Sequence, residues 1–273
     1  MKKRVFGGYL LLILFLLYAP ILILTLYSFT DSATIGAIHG FSIHNYQVLF
    51  SREELRTMIF GTLLLALVTA AISSVLGTLG AVGAFYSKKK TRFFMEIMNK
   101  IPVVNADVVT GFSICVLLIV FFRMDKDTCI PMLIGLTSLC TPFVYLSVMP
   151  RLQQLDSQIY EAALDLGCTP FRAIRKVILP QLVPGITSGF MLSVTLVLDD
   201  YFITTYTKPA TFDTISTYVV NATKGAQTEV KTALWALSAV IFACVLLFVL
   251  VKGILAKRAA AQKEKQTGRR KDE

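Results

Sequence analysis

Residues 159–170 read Ile159-Tyr160-Glu161-Ala162-Ala163-Leu164-Asp165-Leu166-Gly167-Cys168-Thr169-Pro170. Ile159, Ala162, Ala163 and Leu166 recur at i, i+3, i+4 and i+7, one apolar face of a helix. Gly167 follows where that helix ends, as a glycine in left-handed backbone does. Thr169 and Pro170 read as the N-cap and first residue of a second helix. Its apolar stripe is Phe171, Ile174 and Ile178, and Pro180 and Pro184 are expected to end it. A helical hairpin therefore occupies 151–181, in a stretch from Met149 to Pro184 much longer than an ordinary connection. Such a hairpin either docks into a groove on another protein or packs beneath its own bundle, and periodicity leaves both open.

The hairpin lies between long apolar runs. These span Val5–Phe29, Met58–Tyr86, Val103–Phe122, Cys129–Val148, Leu182–Tyr206 and Ala233–Leu255. Each is long enough to cross a bilayer, which takes about 20 residues as helix. The reading is an all-α, polytopic membrane protein with six transmembrane helices, a transmembrane domain over 1–256 and a disordered basic tail over 257–273. Composition agrees. Of 273 residues 55% are hydrophobic and only 16% charged, with mean hydropathy +0.67. Soluble chains carry about 25% charge, so most soluble folds, disorder and nucleic-acid partners are excluded.

The net charge of +10 is distributed unevenly. Alternating the six spans places 20 of the 27 lysines and arginines on one side, and 7 on the other. The side with both termini and the hairpin is then cytoplasmic. Lys2-Lys3-Arg4 with its apolar run imitates a signal peptide. The run is too long and lacks a small-residue cleavage site, so it reads as an uncleaved first helix with Tyr9 and Tyr27 as interface anchors. The tail is positioned to touch anionic lipid heads.

The second run carries Ser73, Gly77 and Ala81 at four-residue spacing, beside Gly80 and Ala84. Such a face lets helices approach closely, either within the chain or at a subunit interface. The five cysteines, Cys115, Cys129, Cys140, Cys168 and Cys244, form no C-x-x-C pair and read as small hydrophobes. His39 and His44 share a loop without ligand-spaced partners, so no metal site is expected. The sequence has no G-x-x-x-x-G-K-[ST] phosphate loop, no H-E-x-x-H and no G-x-S-x-G. It is not read as an enzyme, and no cofactor is expected on this chain.

Three acids fall within the spans: Asp107, Asp199 and Asp200. An Asp at a helix centre costs on the order of 2.5–3.5 kcal/mol on insertion scales. A water-filled cavity, a cation on another subunit or a cationic substrate would offset that. Adjacent helix residues point about 100° apart, so one of Asp199 and Asp200 should face a path and the other cap or pair. A polar contact to a partner subunit is the alternative for this pair. Asp107 follows Pro102, which suggests a half-helix broken at Pro102 and a new helix near Asp107, as in discontinuous spans that line transport paths. Asp107 is otherwise an N-cap. Tyr201, Thr204, Thr205, Tyr206 and Tyr218 could add hydrogen bonds or cation–π contacts. An interior with acids and no bases suits an organic cation of multiple charges rather than an anion.

The string Glu161-Ala162-Ala163, three residues, Gly167, and then Ile178-Leu179-Pro180 resembles the EAA loop of ABC importer permeases. The resemblance implies a type I ABC importer permease fold whose hairpin couples to a separate ATPase. Glu161 and Gly167 would set the hinge, and Ala162 and Ala163 would allow close approach. Leu198-Asp199-Asp200-Tyr201, Thr217-Tyr218 and Asp107-Val108-Val109 resemble the spermidine/putrescine importer permeases of the PotC type. Members of that family often carry a proline just before the aspartate that matches Asp107. This chain has Asn105-Ala106 there. The resemblance implies polyamine import across a bacterial inner membrane, with Asp107, Asp199, Asp200, Tyr201, Thr204 and Tyr218 along the path. It implies three kinds of partner: a PotB-like permease, a PotA-like ATPase dimer holding ATP and Mg, and a PotD-like extracytoplasmic binding protein. A permease for thiamine, ferric iron or an oxyanion, a proton-coupled secondary carrier and a non-transporting scaffold are the alternatives.

Overall fold

The computed structural model describes residues 2–30, 40–224, 234–240 and 242–243. The tail at 257–273, most of the sixth run, His39 and Cys244 lie outside the described residues. Those described are helical apart from turns, short connections and one isolated antiparallel bridge, Thr30 with Phe41. The elements are α1 (Lys2–Ser28), α2 (His44–Ser51), α3 (Glu53–Phe85), α4 (Lys89–Val104), α5 (Asp107–Cys115), α6 (Ile130–Gln154), α7 (Ser157–Asp165), α8 (Pro170–Ala173), α9 (Leu179–Asp199), α10 (Phe202–Thr207) and α11 (Ile215–Lys224). A π-helical segment, Val116–Phe121, extends α5, and another, Ile174–Ile178, joins α8 to α9.

Two compact units divide the chain, residues 1–56 with 222–273, and residues 57–221. In the first unit the end of α1 is tied to α2. Asn45, buried, donates from Nδ2 to the carbonyls of Ser28 (3.1 Å) and Thr30 (2.9 Å). Trp235 packs edge-on against Tyr27 at 5.8 Å.

The second unit is organised around α6. Three helices approach it through glycine, where a side chain would collide. A Cβ on Gly77 of α3 would stand 2.6 Å from Val144 Cβ, and one on Gly189 of α9 would stand 3.1 Å from Val144 Cα. A Cβ on Gly135 of α6 would meet Ile203 of α10 at 2.9 Å. Ser73, Ala81 and Ala84 are fully buried along the face of α3 that holds Gly77. Ser73 Oγ donates to the Thr137 carbonyl at 3.4 Å. The small-residue face of α3 thus packs within the chain. Bilayers supply little hydrophobic drive between helices, so close backbone approach and dispersion contacts carry the association. Two apolar clusters result, one around Val144, Val148, Leu152, Ile178 and Leu182, the other around Met132, Leu136, Cys140, Val197 and Ile203.

Among the described residues three helices are long and apolar enough to cross a membrane: Glu53–Phe85, Ile130–Gln154 and Pro170–Asp199. The pair Lys89–Val104 and Asp107–Phe121 is apolar enough when taken together, but it is bent by 104° at its break. The break lies at Asn105–Ala106 instead of Pro102, which sits inside α4. Asn105 and Ala106 hold extended backbone (ψ 149° and 134°) and so interrupt the ladder.

Two further expectations are corrected. Pro180 and Pro184 do not end the hairpin's second helix; Pro170–Asp199 is one helix of 30 residues. Proline lacks an N–H and crowds the carbonyl four residues back. Here the wider π turn at Ile174–Ile178 precedes Pro180, and such turns accommodate local mismatch in the ladder. The fifth span also ends earlier than Tyr206. Asp200 adopts extended backbone (φ −66°, ψ 123°), which separates α9 from α10.

The glycine contacts can be tested directly. Gly189→Leu should lower stability in detergent by about 1–3 kcal/mol through overpacking against Val144. Gly83→Leu, where a Cβ meets nothing within 4 Å, should leave thermal unfolding unchanged.

Candidate functional site

The residues singled out from sequence fall into two groups at opposite ends of the helix Pro170–Asp199, about 45 Å long at 1.5 Å per residue.

At one end, α7 forms as its sequence dictates. Asp156 caps it, its Oδ1 accepting from the Gln158 N–H at 3.0 Å. Gly167 ends it at φ +85°. Its N–H donates to the Leu164 carbonyl (2.9 Å), and the Cys168 N–H donates to the Ala163 carbonyl (3.0 Å). These paired bonds are the Schellman arrangement, which needs the left-handed backbone that glycine adopts without strain. Thr169 occupies the N-cap position of α8, with no side-chain bond, and Pro170 its first turn.

The apolar face expected on α7 is divided. Ala163 is buried and Tyr160 packs inward, its ring 4.7 Å from that of Tyr86. Ile159, Ala162 and Leu166 are exposed, Leu166 at 86%, and Glu161 is exposed beside them. The short helix is anchored through one small and one aromatic residue. That leaves a row at i, i+3 and i+7 turned outward.

At the other end the three acids take different positions. Asp199 is the last residue of α9 and exposed. Asp200 is buried at 8% exposure and engaged with the start of α10. Its Oδ2 accepts from the Thr204 N–H (2.8 Å) and the Thr204 hydroxyl (2.7 Å), and its Oδ1 from the Ile203 N–H (3.4 Å). Free N–H groups at a helix start take a carboxylate well. Thr204, fully buried, is therefore committed to Asp200. Asp107 is not an N-cap. Ala106 holds that position and Asp107 is the exposed first residue of α5.

Packing of α10 on α5 brings these groups into one neighbourhood. A Cβ on Gly111, one turn after Asp107, would lie 3.1 Å from the Ile203 nitrogen, so only glycine fits there. The start of α11 joins from the other side, Ser216 Oγ donating to the Leu198 carbonyl at 2.8 Å. Tyr218 is half-buried in the first turn of α11, and Tyr201 is half-buried at the start of α10. No Lys or Arg lies in α5, α9 or α10. The nearest in sequence, Lys208, is paired with Asp213 at 2.8 Å.

Two polar residues of α9 were not singled out from the sequence. Ser188 and Thr195 lie on the same exposed stripe of α9 as Asp199. The spacing 188, 195, 199 is helical and was visible as the polar minority on an apolar span. Among the described residues no group of three or more His, Cys, Asp or Glu could hold a metal ion. The Cys115 and Cys140 thiols donate to the carbonyls of Tyr206 (3.3 Å) and Ser193 (3.8 Å), as small packed polar groups do.

The chain is similar to known proteins over most of its length. The putrescine transport system permease protein PotI of Escherichia coli K12 is 32% identical over 70% of this chain and 69% of its own length. The spermidine/putrescine transport system permease protein PotC of the same strain is 28% identical over 92% of this chain and 93% of its own. PotC of Haemophilus influenzae is 27% identical over 80% and 84%. Among solved structures, a bacterial ABC transporter involved in the import of the acidic polysaccharide alginate superposes with a TM-score of 0.68. That match has 20% identity and covers 90% of this chain and 94% of the other, so it bears on the fold alone. Residues 73–261, more than half of the chain, match the profile of one family, and the protein belongs to the binding-protein-dependent transport system inner membrane components.

Proposed function

We propose that the chain is the permease subunit of an ATP-driven polyamine importer, moving spermidine or putrescine across a bacterial cytoplasmic membrane. The observation that carries this reading is the acid-only end of the site. Asp107 and Asp199 are exposed at adjoining helix ends, and no base lies on the helices that hold them. A spaced pair of carboxylates suits a chain with ammonium groups at intervals. The likeness to PotC and PotI points the same way.

In this reading the path runs by Asp199 and Asp107, with Thr195 and Ser188 continuing it along α9. Tyr201 and Tyr218 offer aromatic faces to an ammonium group. Asp200 and Thr204, which the sequence reading put on the path, act instead as the cap that fixes α10. The hairpin supplies coupling. ATP binding would close a separate ATPase dimer against Glu161, Ala162 and Leu166, with Gly167 holding the turn and Ala163 the contact to the bundle. ATP and Mg would reside on that dimer, and both chain termini would face the cytoplasm with it. A second, homologous permease and an extracytoplasmic binding protein would complete the assembly. Because Pro170–Asp199 is one helix, a push at Phe171 would be carried to Asp199 along it.

Asp199→Asn should reduce spermidine uptake in whole cells by up to about fivefold, the worth of one exposed charge pair. Asp107→Asn combined with it should reduce uptake further. Normal uptake in the double variant contradicts the path. Asp200→Ala should behave differently, costing about 1–2 kcal/mol of stability as a lost cap and showing as a lower yield of folded chain in detergent. A Gly167→Asp chain should insert in the membrane and assemble, yet lose polyamine-stimulated ATP hydrolysis in the reconstituted importer. Full stimulation there would remove the hairpin from coupling.

A further inference from the structure

Helix α4 is amphipathic in the opposite sense to a helix of a soluble protein. Its inward seam is polar. Arg92, Glu96 and Asn99 recur at i, i+4 and i+7 and are the half-buried positions of its middle turns. Arg92 Nε donates to Glu96 Oε1 at 3.0 Å, and Asn99 Nδ2 donates to the Pro142 carbonyl of α6 at 3.3 Å. The Arg92 guanidinium also stands 5.4 Å from the centre of the Phe85 ring. The outward face is apolar: Phe93, Phe94, Ile97, Ile101 and Val104, the last 84% exposed. No residue of α4 is buried.

An outward apolar face of this length is unstable in water. In a bilayer it has a natural cover. Helix α4 runs along α6, its start beside Gln153 and its Asn99 beside Pro142, so in a bilayer crossed by α6 the outward face of α4 is turned to the acyl region. At the start of α4 a cleft of about 680 Å³ is lined by Lys89, Lys90, Arg92, Phe93, Glu96 and Gln153. Arg92 and Glu96 neutralise one another there, and the two lysines remain as net positive charge.

We propose that this cleft binds the headgroup phosphate of an anionic phospholipid, whose acyl chains cover the outward face of α4. The polar end and the apolar face lie in the order that a lipid presents them, and the charge is complementary. The site is separate from the acids of the path and does not depend on the nature of the transported solute. Occupied, it would hold the start of α4 against the end of α6.

Native mass spectrometry of the full chain, purified in detergent and titrated with phosphatidylglycerol or phosphatidylcholine, tests this. The wild-type chain should retain phosphatidylglycerol in preference. Lys89→Ala and Lys90→Ala should each reduce that preference about fivefold, and together about thirtyfold. Lys89→Arg with Lys90→Arg should preserve it. So should Arg56→Ala with Lys126→Ala, which removes as much charge elsewhere. Three results would overturn the proposal: equal retention of both lipids by the wild-type chain, an unchanged ratio in the alanine pair, or displacement of the lipid by an equal concentration of inorganic phosphate. The last would mark a site for free anions that ignores the apolar face.

Discussion

A helix that carries two prolines in its body would be broken in water, and here it is not. Pro170–Asp199 continues through Pro180 and Pro184, with a π turn at Ile174–Ile178 just before the first proline and α6 packed along its length. That hold is made at Gly185 and Gly189, where an added Cβ would stand 3.0 Å and 3.1 Å from atoms of α6. Val144 is the pivot of the packing, set between Gly77 on one side and Gly189 on the other. Everything functional in the proposed reading depends on this one helix. It carries the hairpin's second arm at its start and Asp199 at its end.

The far end shows how one type of side chain divides its labour by position. Asp199 and Asp200 are neighbours in sequence, yet the helix ends between them. The residue inside the helix points outward, and the residue beyond it turns back to meet the N–H groups of α10. A buried carboxylate needs such donors. The exposed one is free to meet a charged solute. Asp107 comes near because glycine at 111 allows α10 to lie against α5. Asp107 is thus drawn toward the pair by one close backbone contact, Gly111 on Ile203, and not by any bond among the acids.

Much of this was legible in the chain. The hairpin could be read because its signals are local: an apolar period, a glycine at the turn and a Thr-Pro start. The new helix near Asp107 was legible for the same reason. The corrections concern features that local rules decide wrongly in a membrane. Proline is a strong stop in water, but where lipid offers no alternative partners for the backbone a helix tolerates it. The break therefore moved from Pro102 to Asn105–Ala106, and no break came at Pro180. The division of α7 into an inward side at Tyr160 and Ala163 and an outward row could not be read, because it depends on Tyr86 approaching from another helix. The roles of Asp199 and Asp200 were likewise left open by sequence, since which of them falls inside the helix depends on where α9 stops. The polar face of α4, turned inward, ran against the usual amphipathic reading and emerged only from its packing on α6.

The account rests on Pro170–Asp199 moving as a single rod. Spin labels at Phe171 and Thr195, both exposed, in a cysteine-free background of the assembled importer, would report its length by double electron–electron resonance. The separation should be near 36 Å from the helical rise, and it should stay the same with ATP absent and with ATP and vanadate present. A shift of more than about 5 Å, one helical turn, or a second distance appearing on nucleotide binding, would show that the helix bends at its π turn and does not transmit motion as a rod.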